Sequence, residues 1–211
     1  TGNSGAGSLR QAINDANDNP GPHVISFNIP TTDPGYYSPS PGVGWWIVRV
    51  TSALPTIEET VTIDGTTQTV NRGNTNPGQV GNGGTVGTDA LPLPKYERPE
   101  IEITTSSSIS QGLIVDANNV IIKGLAINGF KGSSPNVGNC QVRINGGTSL
   151  LIDNCLIGTR ADGSDPGINT KTAGIYSVSS STGTIQNCYI GFNISGIYLN
   201  GASDWTITGC E

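Results

Sequence analysis

Apolar and polar positions recur in the same order four times in the second half of the chain. Each copy has an apolar residue, two residues outside the core, a leucine or cysteine, any residue, and an isoleucine. The copies are IKGLAI at 122–127, IDNCLI at 152–157, IQNCYI at 185–190 and the incomplete ITGC at 207–210. Internal repeats of this kind are typical of stacked architectures, so the pattern predicts successive similar turns of chain.

The residue before the leucine or cysteine is always glycine or asparagine. This bend column consists of Gly124, Asn154, Asn187 and Gly209. Glycine and asparagine accept a left-handed backbone conformation more readily than other residues. We therefore expect each copy to be a strand, a tight bend and a second strand.

A further strand-like segment precedes or follows each copy. These segments are GLIV at 112–115, QVRI at 141–144, GIYSV at 174–178 and GIYL at 196–199. The shortest step between equivalent isoleucines, from Ile185 to Ile207, has the length of one coil of a parallel β-helix. The longer steps place their extra residues at 131–139 and 160–171, so one side of the coil is expected to carry variable loops. The sequence thus predicts an all-β fold, a parallel β-helix (a solenoid).

One segment has a helical pattern instead. Residues 8–17 place Leu9, Ala12, Ile13 and Ala16 on one face, with Ser8 as the N-cap. We expect this helix to cap the open end of the first coil. We expect a single domain over residues 1–211, with the capping helix at 8–17, the first coils at 24–65, a long inserted loop at 66–99 and regular coils at 100–211.

The repeat is interrupted within its fourth copy, at Cys210 and Glu211. We expect either a longer parent chain, of which these residues are the N-terminal part, or an uncapped coil that self-associates end to end.

Composition narrows the possible functions. Charged residues make up 12% of the chain, hydrophobic residues 34%, and the net charge is −6. The chain lacks a basic footprint for nucleic acid and an apolar run that would span a membrane.

Several segments together resemble a known group of proteins. They are GAGSLRQAINDAN at 5–17, ISFNIP at 25–30, LPTI at 54–57, VTIDGTTQ at 61–68 and NCLIGTRADG at 154–163. They resemble large bacterial secreted or cell-surface proteins with right-handed parallel β-helix repeats, and the resemblance spans nearly the whole chain. It implies a pectate-lyase-like coil and a secreted, extracellular or cell-surface location. Those repeats often carry asparagine where this chain has cysteine.

Three of the four cysteines occupy one repeat position. The cysteine column, Cys155, Cys188 and Cys210, continues the position of Leu125. Buried cysteine packs as a small hydrophobe, and stacked neighbours also lie within the Cα range of a disulfide. The alternatives are a column of free thiols or one disulfide, Cys155–Cys188 or Cys188–Cys210.

Acidic residues do not form a catalytic constellation in the sequence. Glu100, Glu102 and Asp116 stand isolated, and Asp162 and Asp165 belong to a turn that is a weak calcium candidate. We expect no catalytic residues, no cofactor other than possible calcium, and no other metal site. Whether the chain is an enzyme is left open, with the balance against it.

Aromatic residues offer a different kind of site. Tyr176 and Tyr198 occupy equivalent repeat positions and should stack on an outer face, and Trp205 is a further candidate. Such a face is either simple packing or a binding surface for polysaccharide or for a glycan of a host or cell surface.

These observations favour a non-catalytic structural or adhesive domain, a rigid rod that displays loops or forms part of an extracellular fibre. The alternatives are a polysaccharide lyase or glycoside hydrolase, and a carbohydrate-binding module.

Overall fold

The computed structural model describes residues 1–133, 138–167, 172–178 and 180–211. Its helices are α1 (Leu9–Asn17) and α2 (Thr66–Arg72). Its strands are β1 (His23–Ser26), β2 (Tyr36–Ser40), β3 (Val43–Arg49), β4 (Val61–Asp64), β5 (Gln79–Val80), β6 (Thr85–Val86), β7 (Leu91–Pro92), β8 (Tyr96–Glu97), β9 (Ile101–Thr104), β10 (Gln111–Asp116), β11 (Ile121–Lys123), β12 (Leu125–Asn128), β13 (Cys140–Gly146), β14 (Leu150–Asp153), β15 (Leu156–Ile157), β16 (Ala173–Ser177), β17 (Gly183–Gln186), β18 (Tyr189–Ile190), β19 (Ser195–Leu199) and β20 (Trp205–Thr208).

Most strands belong to three sheets that the chain visits in turn. The first sheet has the order β1-β4-β11-β14-β17-β20, the second β10-β13-β16-β19 and the third β18-β15-β12-β9-β3-β2. The pairs in these sheets are parallel, apart from the antiparallel pair β2–β3. From β9 onward the chain passes from the third sheet to the second, then to the first, and repeats the circuit. The prediction of an all-β fold is confirmed, and its three large sheets are built mainly of parallel pairs.

An isoleucine column crosses the first sheet and lies at the centre of the core. Strand register aligns Ile25, Ile63, Ile122, Ile152, Ile185 and Ile207. The members from Ile25 to Ile185 are at most 8% exposed, whereas Ile207 on the outermost strand is 48% exposed. The predicted equivalence of the four repeat isoleucines is therefore confirmed. Association of this exposed end with another molecule stays a prediction.

The bend column has the predicted backbone. The φ angles are +63° at Gly124, +50° at Asn154, +52° at Asn187 and +58° at Gly209, all left-handed. Hydrogen bonds between successive copies continue through the bend, because the N–H groups of Gly124, Asn154 and Asn187 donate to carbonyls of the next copy. The bend therefore turns the chain into the third sheet without breaking the ladder.

Helix α1 packs its apolar face on the core and fastens a loop with its polar residues. Ser8 caps the helix by accepting from the Gln11 N–H, and Leu9, Ile13 and Ala16 are buried, as predicted. The Arg10 guanidinium donates to the carbonyls of Ser52 and Ala53 at 2.7 and 2.6 Å. The Asn17 side chain donates to the Thr56 carbonyl and accepts from the Glu58 N–H. These bonds hold residues 51–58 against the helix.

The interpretation of residues 66–99 as a loop is wrong. The segment contains α2 and the strand pairs β5–β8 and β6–β7. Helix α2 has no apolar stripe, which is the usual signal for a helix. It is held by polar side chains instead: buried Gln68 bonds both the N–H and the carbonyl of Ile29, and Asn71 donates to the Phe27 carbonyl. Its side chains thus satisfy backbone groups that follow β1.

The first coils also differ from prediction between residues 24 and 65. The LPTI segment at 54–57 forms no strand of its own and makes one bridge, between Ile57 and Val115. Pro55 within it lacks the N–H that a ladder needs. Strand β2, which the sequence did not predict, pairs with β3 and sets Tyr36 against Trp46 with ring centroids 4.9 Å apart.

Replacing Asn187 by valine is expected to lower the free energy of unfolding by about 2 kcal/mol, more than a half-buried position suggests. A β-branched residue is strained at φ +52°, and the change also removes the bond from Asn187 Nδ2 to Asp153 Oδ1. Urea unfolding followed by circular dichroism measures the effect.

Asn187→Gly is the matched control. It loses the same hydrogen bond but accepts the left-handed backbone freely. Equal unfolding free energies for the valine and glycine variants would contradict the role assigned to the bend.

Candidate functional site

Tyr176 and Tyr198 form an aromatic ladder on the second sheet. They are direct register partners, and their ring centroids lie 5.3 Å apart at an interplanar angle of 39°. The Arg143 guanidinium carbon lies 5.2 Å from the centroid of the Tyr176 ring, and Tyr198 is 40% exposed. The predicted stacking is confirmed. The ladder presents an aromatic platform with a cation at one end.

Trp205 does not join this ladder. It lies in β20 of the first sheet, where its register partner is Gly183. Its indole N–H donates to the Ser181 hydroxyl at 3.2 Å, and its ring packs partly against the main core. Trp205 thus lies on a different sheet from the two tyrosines, and its part in ligand binding stays a prediction.

Two glutamates lie buried at the third sheet, Glu100 just before β9 and Glu102 within it. Glu100 and Glu102 are each 2% exposed. Glu102 accepts from Trp45 Nε1 at 2.7 Å, from the Ala161 N–H at 3.1 Å and from Asn128 Nδ2 at 3.1 Å. The sequence did not reveal these bonds, which join Glu102 to neutral donors within the fold.

Glu100 has a similar environment. It accepts from the N–H groups of Thr75 and Asn76 at 2.8 and 3.0 Å, and from the Thr75 hydroxyl. Burial and neutral donors keep both carboxylates away from any polymer lying on the surface. In this arrangement Glu100 anchors Thr75 and Asn76, and Glu102 anchors Ala161, to the third sheet, which is a structural use.

The calcium candidates each bond their own turn. Asp162 Oδ1 accepts from the N–H and the hydroxyl of Ser164, and Asp165 Oδ1 accepts from the Gly167 N–H. Within the described ranges, no group of three or more His, Cys, Asp or Glu side chains could hold a metal ion. The geometry is that of two consecutive Asx turns.

The corner that follows the third sheet holds a groove that the sequence analysis missed. We call it the basic groove: it is lined by Arg49, Lys131 and Arg160 around a floor of Thr104 and Asn128, and its volume is about 280 Å³. Arg49 ends β3, and the other two residues follow β12 and β15. A signal was present, because Lys131 and Arg160 begin the two variable loops predicted to share one side.

The cysteine column belongs to the main core. Cys155 and Cys188 are buried, Cys210 is half-buried, and all four cysteines of the chain are free thiols. The Cys188 thiol contacts those of Cys155 and Cys210, and hydrogen bonding to Cys155 together with burial raises the pKa of Cys188 well above its usual value. Burial raises the pKa of Cys140 to about 12. These groups act as small core residues with suppressed reactivity.

Comparison with known proteins leaves the resemblance untested. No protein-family model matches the chain, and searches of curated proteins and of solved structures return no match. In the described part of the chain, no helix is long and apolar enough to cross a membrane.

Alkylation is expected to leave Cys140, Cys155 and Cys188 unmodified in the native protein and to reach all four cysteines after denaturation. Because the pKa of Cys140 is raised to about 12, this thiol stays protonated and unreactive from neutral pH to mildly alkaline pH. Mass spectrometry of native and denatured samples, without reductant, measures the labelling.

A denatured sample prepared with reductant is the control. A sample without reductant that takes up two labels fewer than the control would demonstrate a disulfide and contradict the free-thiol column.

Proposed function

We propose that the three sheets are the faces of a right-handed parallel β-helix, capped at one end by α1. The domain then serves as a non-catalytic structural or adhesive rod of a secreted or cell-surface protein. The observation that carries the proposal is the buried isoleucine column, in register across the first sheet. A continuous close-packed column makes a stiff body, since each strand is fixed by the strands on both sides.

Loops and hairpins on this body support a display role. Residues 66–99 cover the third sheet and contain the antiparallel pair β6–β7, in which Leu91 is 61% exposed. Glu100 and Glu102, which are buried at the third sheet, accept hydrogen bonds from neutral donors. The surface therefore offers exposed segments for contact, while its buried acids serve the fold.

The N-terminal landmarks support the proposed kinship with bacterial surface β-helix proteins. Arg10 and Asn17 of the SLRQAINDAN segment fasten residues 51–58, and Gln68 of the IDGTTQ segment fastens Ile29. Residues of these landmark segments thus make the polar contacts that hold the first coils together. A secreted or cell-surface location belongs to the same proposal.

The proposal predicts a protein found outside the cell that cleaves no polysaccharide. Fractionation of producing cells should place it in the medium or on the envelope. Reducing-sugar and unsaturated-product assays on polygalacturonate and alginate should give the same signal for native and heat-denatured protein. Product that grows with the concentration of native protein, or retention in the cytoplasm, would overturn the proposal.

The tyrosine ladder favours a second candidate, a carbohydrate-binding module. Two stacked rings on one face suit the apolar face of a sugar, with Arg143 beside them for its polar groups. Because such a ladder also forms by packing alone, binding has to be measured directly.

For this second candidate, Tyr176→Ala and Tyr198→Ala are expected to weaken glycan binding about three- to tenfold on a glycan array. Tyr37→Ala is the matched control, since Tyr37 is 42% exposed, similar to Tyr198, but packs on Trp45 of the third sheet. Equal binding by wild type and both ladder variants would exclude the ladder as a sugar site.

A further inference from the structure

Three cationic side chains from separate parts of the chain meet at the basic groove. The chain has only 10 lysine and arginine residues and a net charge of −6. Three of them, Arg49, Lys131 and Arg160, line one groove of about 280 Å³. An acidic chain that gathers its few cations at one corner creates a local field of the opposite sign to its own.

These cations lack acidic partners in the part of the chain that the structure describes. Its ion pairs there join Lys123 to Asp64 and the N-terminus to Asp33. Lys131 and Arg160 are half-buried, while Arg49 is exposed. A partly buried charge without a partner loses hydration and gains nothing in return, which favours binding of an anion.

The acid in the groove wall does not neutralise them by contact. Glu102 directs its oxygens to Trp45, Ala161 and Asn128, which are neutral donors. With Glu102 ionised, the lining carries three positive charges and one negative charge. The groove therefore keeps a net positive lining.

The floor of the groove is fixed before any ligand arrives. The Thr104 hydroxyl donates to Asn128 Oδ1 at 2.7 Å, and Asn128 Nδ2 donates to Glu102 and to the Thr159 carbonyl at 3.1 and 3.0 Å. The side chains of Thr104 and Asn128 thus form one buried network with Glu102. A preorganised floor lowers the entropy cost of binding.

We propose that the basic groove binds an oxyanion, a carboxylate, sulfate or phosphate group carried by a ligand about the size of one sugar ring. Its volume of about 280 Å³ lies just below the range for sites that hold drug-sized molecules, about 300–1,000 Å³. Arginine suits this role, because its planar fork binds an oxyanion through two parallel hydrogen bonds. The groove lies on the corner after the third sheet, apart from the tyrosine ladder on the second sheet.

Titration of the isotope-labelled protein, followed by amide and arginine side-chain NMR signals, tests the proposal. The added salts are sodium sulfate, sodium phosphate, sodium acetate and sodium glucuronate, each compared with sodium chloride at the same ionic strength. Saturable shifts at Thr105, Ser106 and Arg160 are expected with at least one oxyanion and not with chloride. Comparing the affinities for sulfate or phosphate with that for acetate shows whether the groove prefers a tetrahedral or a planar oxyanion. Comparing glucuronate with acetate shows whether the sugar ring contributes to binding.

Variants locate the binding. Arg49→Gln and Arg160→Gln are each expected to weaken it about tenfold, the loss of one charge-assisted hydrogen bond. Arg72→Gln, on α2, is the matched control and should bind as the wild type does. Unchanged signals outside the groove show that each variant is folded. Shifts equal to those caused by chloride, or undiminished binding by both groove variants, would overturn the proposal.

Discussion

The left-handed bend is the constraint on which the rest of the structure depends. In a strand the side chains alternate between two faces, so a slip of one residue would turn every core residue outward. The bend column determines which side chains of each copy face the core. Its members Gly124, Asn154, Asn187 and Gly209 all adopt positive φ. Each copy then presents its isoleucine to the same column. The apolar core follows from the repeated placement of one backbone conformation.

Polar side chains form hydrogen bonds with backbone groups that lie outside the sheets and therefore lack a partner on a neighbouring strand. Gln68, Asn71, Asn17 and Asn128 each bond backbone atoms distant in sequence. A buried N–H or carbonyl without a partner costs more free energy than most single contacts supply. Amides satisfy these groups without the desolvation cost of a charge. This accounts for a chain rich in asparagine and threonine in which charged residues are only 12%.

The sequence predicted the elements that repeat and helix α1, whose apolar stripe is visible, and it missed elements held by polar contacts. The isoleucine column, the bends and the Tyr176–Tyr198 pair follow from a local pattern that recurs, so register could be inferred without coordinates. Helix α2 escaped notice because polar contacts with residues 27–29, rather than an apolar stripe, hold it in place. The bonding of Glu102 was also hidden, since its partners Trp45, Asn128 and Ala161 come from three separate segments.

The outer faces of the three sheets differ in the types of residue that they carry. The first sheet carries a polar row in which Lys123 pairs with Asp64 at 3.0 Å, and the second carries the tyrosines. The third is covered by residues 66–99, with Val80 and Tyr96 packed on Trp45 and its neighbours. That cover leaves free the corner where Arg49, Lys131 and Arg160 emerge. Because the core columns place no demand on residues at a corner, charge can gather there without altering the register between the strands.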